Sequence, residues 1–180
     1  MVRASIGICL ADGNRDSDNQ DVSLLFSQAD SALSEAKLAG KNTFAFYNAD
    51  MTRLARRRLE LEEALTTGMA RREFELFYQP VYAMGSGQLI GSEALLRWRH
   101  PQWGLVAPGE FIPLAEETGL IVDLGGWVLP EAASQLRDWL DEGLDPGFVA
   151  INVSSRQLQR GHFPGFLKQV VDEANLPPGR

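Results

Sequence analysis

Glu93, Leu95 and Arg97 stand at alternate positions in the run 88–98. A strand points alternate side chains to opposite faces, so a carboxylate, a leucine and a guanidinium share one side, together with Gly91 and Arg99. The other side carries Ile90, Ala94, Leu96 and Trp98 and suits packing beneath helices. A second run, 148–154, places Val149, Ile151 and Val153 on one face and Ala150, Asn152 and Ser154 on the other. An amide and a hydroxyl on an inward face cost free energy unless bonded. At the C-terminal end of an α/β barrel strand, such groups more often belong to an active site. Glu93 and Asn152 offer the hard oxygen ligands that Mg²⁺, Mn²⁺ or Ca²⁺ accept. Arg97 offers a two-pronged fork for a phosphate. Gln79 sits beside Pro80, where strand pairing should end. Gln79, Glu93, Arg97 and Asn152 are therefore expected at one mouth. On this strand alone, a solvated sheet face would also account for Glu93 and Arg97, as ordinary surface charges.

The elements that must position these groups are legible in outline. Runs 74–81 and 88–98 are separated by the Gly-rich A-M-G-S-G, which predicts an antiparallel hairpin. Helical segments follow at 110–117 and 122–142, with Pro130 expected to kink or split the second. Then come the strand 148–154 and a helix over 164–174, whose apolar face carries Phe166, Leu167, Val170, Val171 and Ala174. This alternation argues for a parallel α/β sheet or barrel with a hairpin at its start. Three strands cannot close a barrel of about eight, so the piece over 73–180 is expected to be incomplete.

Ahead of it, Ile6, Ile8 and Leu10 alternate at period two and predict a strand. The polar stretch 12–21 reads as a loop. A helix over 22–39 presents Leu25, Ala29, Ala32, Leu33 and Ala36, and Gly40 supplies a C-cap. Phe44 and Phe46 make a short second strand. A βαβ unit of this size has too little core to stand alone. Residues 51–68 form a connecting helix with Arg56–Glu60 and Arg58–Glu62 four apart. Met51, Leu54, Leu61 and Leu65 fall near heptad spacing, which also suits a homodimer.

The 180 residues are 44% hydrophobic and 23% charged, ordinary for a globular protein. The net charge of −7 disfavours a nucleic-acid polymer or an anionic membrane as partner, but not a small phosphorylated ligand in a local pocket. Charge is uneven: −3 over 1–50, +3 over 51–72 and −7 over 73–180. A basic helix between two acidic segments reads as a connector between modules, its Arg56-Arg57-Arg58 run a solvated face. The single cysteine, Cys9, permits no internal disulfide and reads as a small buried hydrophobe. With no apolar run long enough to span a bilayer, a cytoplasmic location is expected.

Four blocks in order bring the chain to a family. Y-Q-P (78–80), S-E-A-L-L-R-W-R-H-P (92–101), G-E-F-I-P-L-A-E-E-T-G-L-I (109–121) and I-N-V-S-S-R-Q-L (151–158) resemble the EAL domain of bacterial cyclic-di-GMP phosphodiesterases. The resemblance covers 73–180, about the first half of such a domain. It implies an α/β fold, the first half of a modified (β/α)8 TIM-like barrel whose first strand is antiparallel. It implies that Glu93 and Asn152 are metal ligands, that Arg97 contacts the substrate phosphate, and that Gln79 and Leu95 line the nucleotide pocket. Two Mg²⁺ or Mn²⁺ ions would activate a water for in-line attack, opening cyclic di-GMP to linear pGpG.

Residues 1–50 resemble the C-terminal end of a GGDEF (diguanylate cyclase) domain, an α+β fold. The matching pieces are S-I-G-I (5–8), Q-A-D-S-A-L-S-E-A-K (28–37), G-K-N (40–42) and the Phe46-Tyr47 pair. Ser34 stands where that family usually has Tyr, and Lys41 where it often has Arg. The expected organisation is a GGDEF remnant over 1–50, a connector over 51–72 and the EAL half over 73–180. An upstream sensory domain, and through it a membrane anchor, would belong to the parent protein. The G-G-D-E-F signature is absent, so no cyclase activity is expected. The later acidic and lysine segments of an EAL site are absent too, so no phosphodiesterase activity is expected of this chain alone. A receptor that binds cyclic di-GMP without cleaving it is the second reading, and a dimerising structural module the third. His100, beside Pro101, and His162, opening a helix, read as structural, as do Trp98, Trp103, Trp127 and Trp139.

Overall fold

A computed structural model describes residues 3–11, 22–159, 161–177 and 179. The loop expected over 12–21 lies outside them. The chain divides into two compact units, Met1–Leu61 and Glu62–Arg180.

In the first unit, β1 (Ile6–Ile8) and β2 (Phe44–Phe46) pair in parallel, with Gly7 opposite Ala45. Parallel pairing needs a crossover, and α1 (Val22–Leu38) supplies it. A Cβ at Gly7 would lie 2.0 Å from the Ala29 carbonyl oxygen, so only glycine lets α1 lie this close to the sheet. Ala32 and Ala36 are buried. Gly40 follows α1 with φ +107, the left-handed ending expected of it. Cys9 departs from expectation. It lies beyond the end of β1, is only half-buried, and its Sγ is 3.0 Å from Gln28 Oε1.

Helix α2 (Ala49–Ala70) runs from the first unit into the second. Arg56 Nε donates to Glu60 Oε1 at 3.0 Å, as the four-residue spacing predicts. Leu61 and Leu65 are buried, whereas Leu54 is exposed.

The second unit is built on the hairpin of β3 (Phe74–Tyr82) and β4 (Leu89–His100). Their antiparallel register sets Phe74 opposite Trp98, Tyr78 opposite Ala94, and Gln79 opposite Glu93. Strand β6 (Phe148–Ile151) runs parallel to β4. The short β5 (Gly104–Val106), which the sequence pattern did not show, folds back on the end of β4. Among the described residues four helices follow the hairpin: α3 (Pro108–Thr118), α4 (Ile121–Asp141), α5 (Ser155–Gln159) and α6 (Phe163–Glu173). Among the described residues no helix is long and apolar enough to cross a membrane.

The core lies on the even-numbered face of β4. Trp98 is fully buried, with ring centroids 5.4 Å from Phe74 and 5.6 Å from Phe111. Its indole N–H donates to Glu73 Oε2 at 3.0 Å, so burial leaves no polar atom unpaired. His100 stacks on Trp103, and its Nδ1 accepts the backbone N–H groups of Gln102 and Trp103. That is the structural role expected of it. His162 is the N-cap residue of α6, but its side chain caps nothing.

Three further expectations need correction. Strand pairing does not end beside Gln79, because β3 continues through Pro80 to Tyr82, which pairs with Leu89. Pro130 does not split the helix: α4 runs unbroken from Ile121 to Asp141, with Pro130 on its exposed side. The strand expected to reach residue 154 stops at Ile151, where its pairing with Ala94 ends, and the chain turns into α5.

The junction of β4 and β6 is tight. Gly91 pairs with Phe148, and a Cβ at Gly91 would meet the Phe148 ring at 2.6 Å. Just before it, Gly147 has φ +85, and a Cβ there would lie 2.1 Å from the Ile90 carbonyl oxygen.

Candidate functional site

The odd-numbered face of β4 carries the site. Parallel neighbours share a face, so the pairing of Glu93 with Ala150 brings Asn152, two residues on, to the same side. Asn152 Nδ2 donates to Glu93 Oε1 at 2.6 Å across 59 residues of sequence. Gln79 stands opposite Glu93 on β3. Leu95 follows on β4, and Arg97 lies four residues from Glu93, about 13 Å along a strand. The four polar groups expected at one mouth thus occupy one face. Glu93 and Asn152 touch, Gln79 neighbours them, and Arg97 stands further along.

The Arg97 guanidinium is held without being neutralised. Its Nη1 donates to the Leu96 carbonyl at 2.9 Å, and its central carbon lies 5.5 Å from the Phe77 ring centroid. The carboxylate opposite it in register, Glu75, pairs with Arg99 Nη2 at 2.7 Å. Arg97 therefore has no ion pair among the described residues, and its fork is available to an anion.

Leu95, Arg97 and Asn152 line one cavity of about 350 Å³ with Ser154, whose hydroxyl the sequence placed on the inward face, and with two groups that it did not single out for chemistry, Glu116 on α3 and Gln157 on α5. Glu116 Oε1 accepts the Ser154 hydroxyl at 2.8 Å, and Gln157 Oε1 accepts the Ser154 backbone N–H at 2.8 Å. Glu116 lies in the A-E-E-T-G stretch, but nothing in its spacing announces a partner 38 residues away.

The contact runs through the amide nitrogen of Asn152; with that amide turned over, the pair would offer a carboxylate and a carboxamide oxygen, the donors a hard divalent cation takes. Among the described residues no group of three or more His, Cys, Asp or Glu could hold a metal. Glu93 and Asn152 are two donors, fewer than a divalent cation takes.

The opposite face behaves differently. The Tyr78 ring packs edge-on to Trp139 at 4.8 Å. Burial, and then the charge of Glu131, push the Tyr78 hydroxyl up to about 12.

Comparison with known proteins gives a consistent picture. The EAL domain family model matches residues 60–180. The bifunctional diguanylate cyclase/cyclic di-GMP phosphodiesterase MucR of Pseudomonas aeruginosa is 41% identical over 177 residues, 98% of this chain and 25% of its own length. The signaling protein YkoW of Bacillus subtilis is 37% identical over 178 residues, 99% of this chain and 22% of its own. The chain thus spans about a quarter of these relatives. Among solved structures, the MucR phosphodiesterase in complex with c-di-GMP aligns with a TM-score of 0.63 and 43% identity, over 66% of this chain and 48% of that one. The cAMP-bound EAL enzyme Bd1971 aligns at 0.62 and 33% identity, over 70% and 37%.

Proposed function

The chain belongs to the EAL domain family, and from that premise we propose that its second unit is part of a site that binds cyclic di-GMP and opens it to linear pGpG. The observation that carries this reading is the 2.6 Å contact of Asn152 with Glu93, on one sheet face with Arg97, which has no ion pair among the described residues.

Glu93 and Asn152 would hold a Mg²⁺ or Mn²⁺ ion through oxygen. The bound metal would polarise a water for attack on phosphorus. The remaining work belongs to the side chains. Arg97 grips a phosphate oxygen pair with its fork, and Phe77 and the Leu96 carbonyl keep that fork aimed. Leu95 gives the nucleotide an apolar wall, and Gln79 a hydrogen-bonding edge. Two protein donors do not make a two-metal centre, so this chain by itself binds the dinucleotide without cleaving it. The similarity to MucR across 98% of the chain supports reading residues 1–50 as the end of a GGDEF domain. An upstream sensory domain, a cytoplasmic setting and dimerisation through α2 belong to the same reading.

Calorimetric titration of the chain with cyclic di-GMP, with and without Mn²⁺, tests it. Arg97→Ala should weaken binding by about tenfold, the loss of one charge-assisted contact. Glu93→Gln should remove the Mn²⁺ dependence. Failure of the parent chain to bind would overturn the assignment. Appearance of pGpG by chromatography would overturn the claim that this chain does not cleave.

A further inference from the structure

Asn152 poses a mechanical question. It lies one residue past the end of β6, so no ladder hydrogen bond fixes its backbone. Something else must hold its carboxamide 2.6 Å from Glu93. Two residues of chain, at most about 7 Å, separate it from Ser154. Ser154 is restrained through its hydroxyl, its N–H and its carbonyl. Its hydroxyl donates to Glu116 Oε1, and its N–H donates to Gln157 Oε1, each at 2.8 Å. Its carbonyl accepts the N–H of Gln157 at 3.0 Å and opens α5.

Gln157 is itself locked. It is 8% exposed, and its Nε2 would lie 1.8 Å from a Cβ placed on Gly125. The glycine on α4 is thus the seat for this carboxamide. Helices α3 and α5 hold Ser154 directly, and α4 seats the Gln157 side chain that bonds it.

We infer that Glu116, Ser154 and Gln157 form a positioning set that holds Asn152 against Glu93. The inference rests on the reading of Glu93 and Asn152 as metal ligands, and it concerns how they are aimed. Outer groups of this kind change metal affinity by about 10–100-fold in other sites. Ser154→Ala removes the bond to Glu116. Gln157→Leu removes the acceptor of the Ser154 N–H. Ser154→Thr keeps the hydroxyl.

The test uses the whole chain. Heteronuclear NMR reads the splitting of the two Asn152 side-chain amide protons, one of which is bonded to Glu93. Paramagnetic broadening at Glu93 and Asn152 reads Mn²⁺ affinity. In Ser154→Ala and in Gln157→Leu the splitting should collapse toward that of a free amide, and Mn²⁺ affinity should fall about tenfold. The Trp98 indole signal should stay in place in both, and Ser154→Thr should keep the parent splitting. An unchanged splitting in both Ser154→Ala and Gln157→Leu overturns the inference. Loss of the Trp98 signal together with the splitting also overturns it, since the role would then be that of holding the whole unit. If Glu93→Gln leaves Mn²⁺ affinity untouched, the metal reading fails, and the amide splitting still decides the positioning claim.

Discussion

The two faces of the β3–β4 hairpin are made from the same strands and do opposite work. The even-numbered face of β4 is buried under helices, where Trp98 packs against Phe74 and Phe111. Its odd-numbered face holds Glu93, Leu95 and Arg97, all half-buried, and leaves Phe77 of β3 exposed. Period-two alternation thus separates stability from chemistry, residue by residue. A substitution on one face should move folding, and its next neighbour in sequence should move binding.

The sharpest way to break this contrast is to set Trp98 against Arg97. Trp98→Ala opens a cavity in the core and should cost about 3–5 kcal/mol of unfolding free energy in urea titration. Gly91→Ala should cost less, about 1–3 kcal/mol, because the Phe148 ring must give way. Arg97→Ala should change stability by under about 1 kcal/mol while weakening cyclic di-GMP about tenfold. Equal destabilisation by Arg97→Ala and Trp98→Ala would erase the division.

The smallest effect concerns pH. The Tyr78 hydroxyl titrates at about 12 when folded, against 10.0 for the ordinary group. The folded state therefore holds the proton more tightly. The resulting stability is complete below pH 10 and is lost as pH rises from 10 through about 12. Tyr78→Phe should flatten that part of the stability curve. A curve unchanged by Tyr78→Phe would show that alkaline unfolding starts elsewhere.

Much of this was legible in the sequence because alternation is local. Ala94, Leu96 and Trp98 announce a buried face, and Glu93, Leu95 and Arg97 the other, within one run of residues. The hairpin was legible from its Gly-rich turn. What stayed hidden depends on contacts between distant segments. β5 is three residues long and exists because the His100 side chain ties down the turn before it. The end of β6 is set by where its partner stops. Glu116 falls within an expected helix and Gln157 within no expected element, and their meeting at Ser154 joins segments 38 residues apart. Pro130, with no backbone N–H to donate, lies inside α4 without dividing it.

The Phe148 ring seated on Gly91 works as an index mark. It stands four residues before Asn152 and has no reagent of its own to offer. Shifting β6 by a single residue would turn the carboxamide to the far side of the sheet and leave the Glu93 oxygen without its hydrogen-bond partner. A methyl group at position 91 would therefore act as an error of alignment, felt at a distance as a displaced carboxamide.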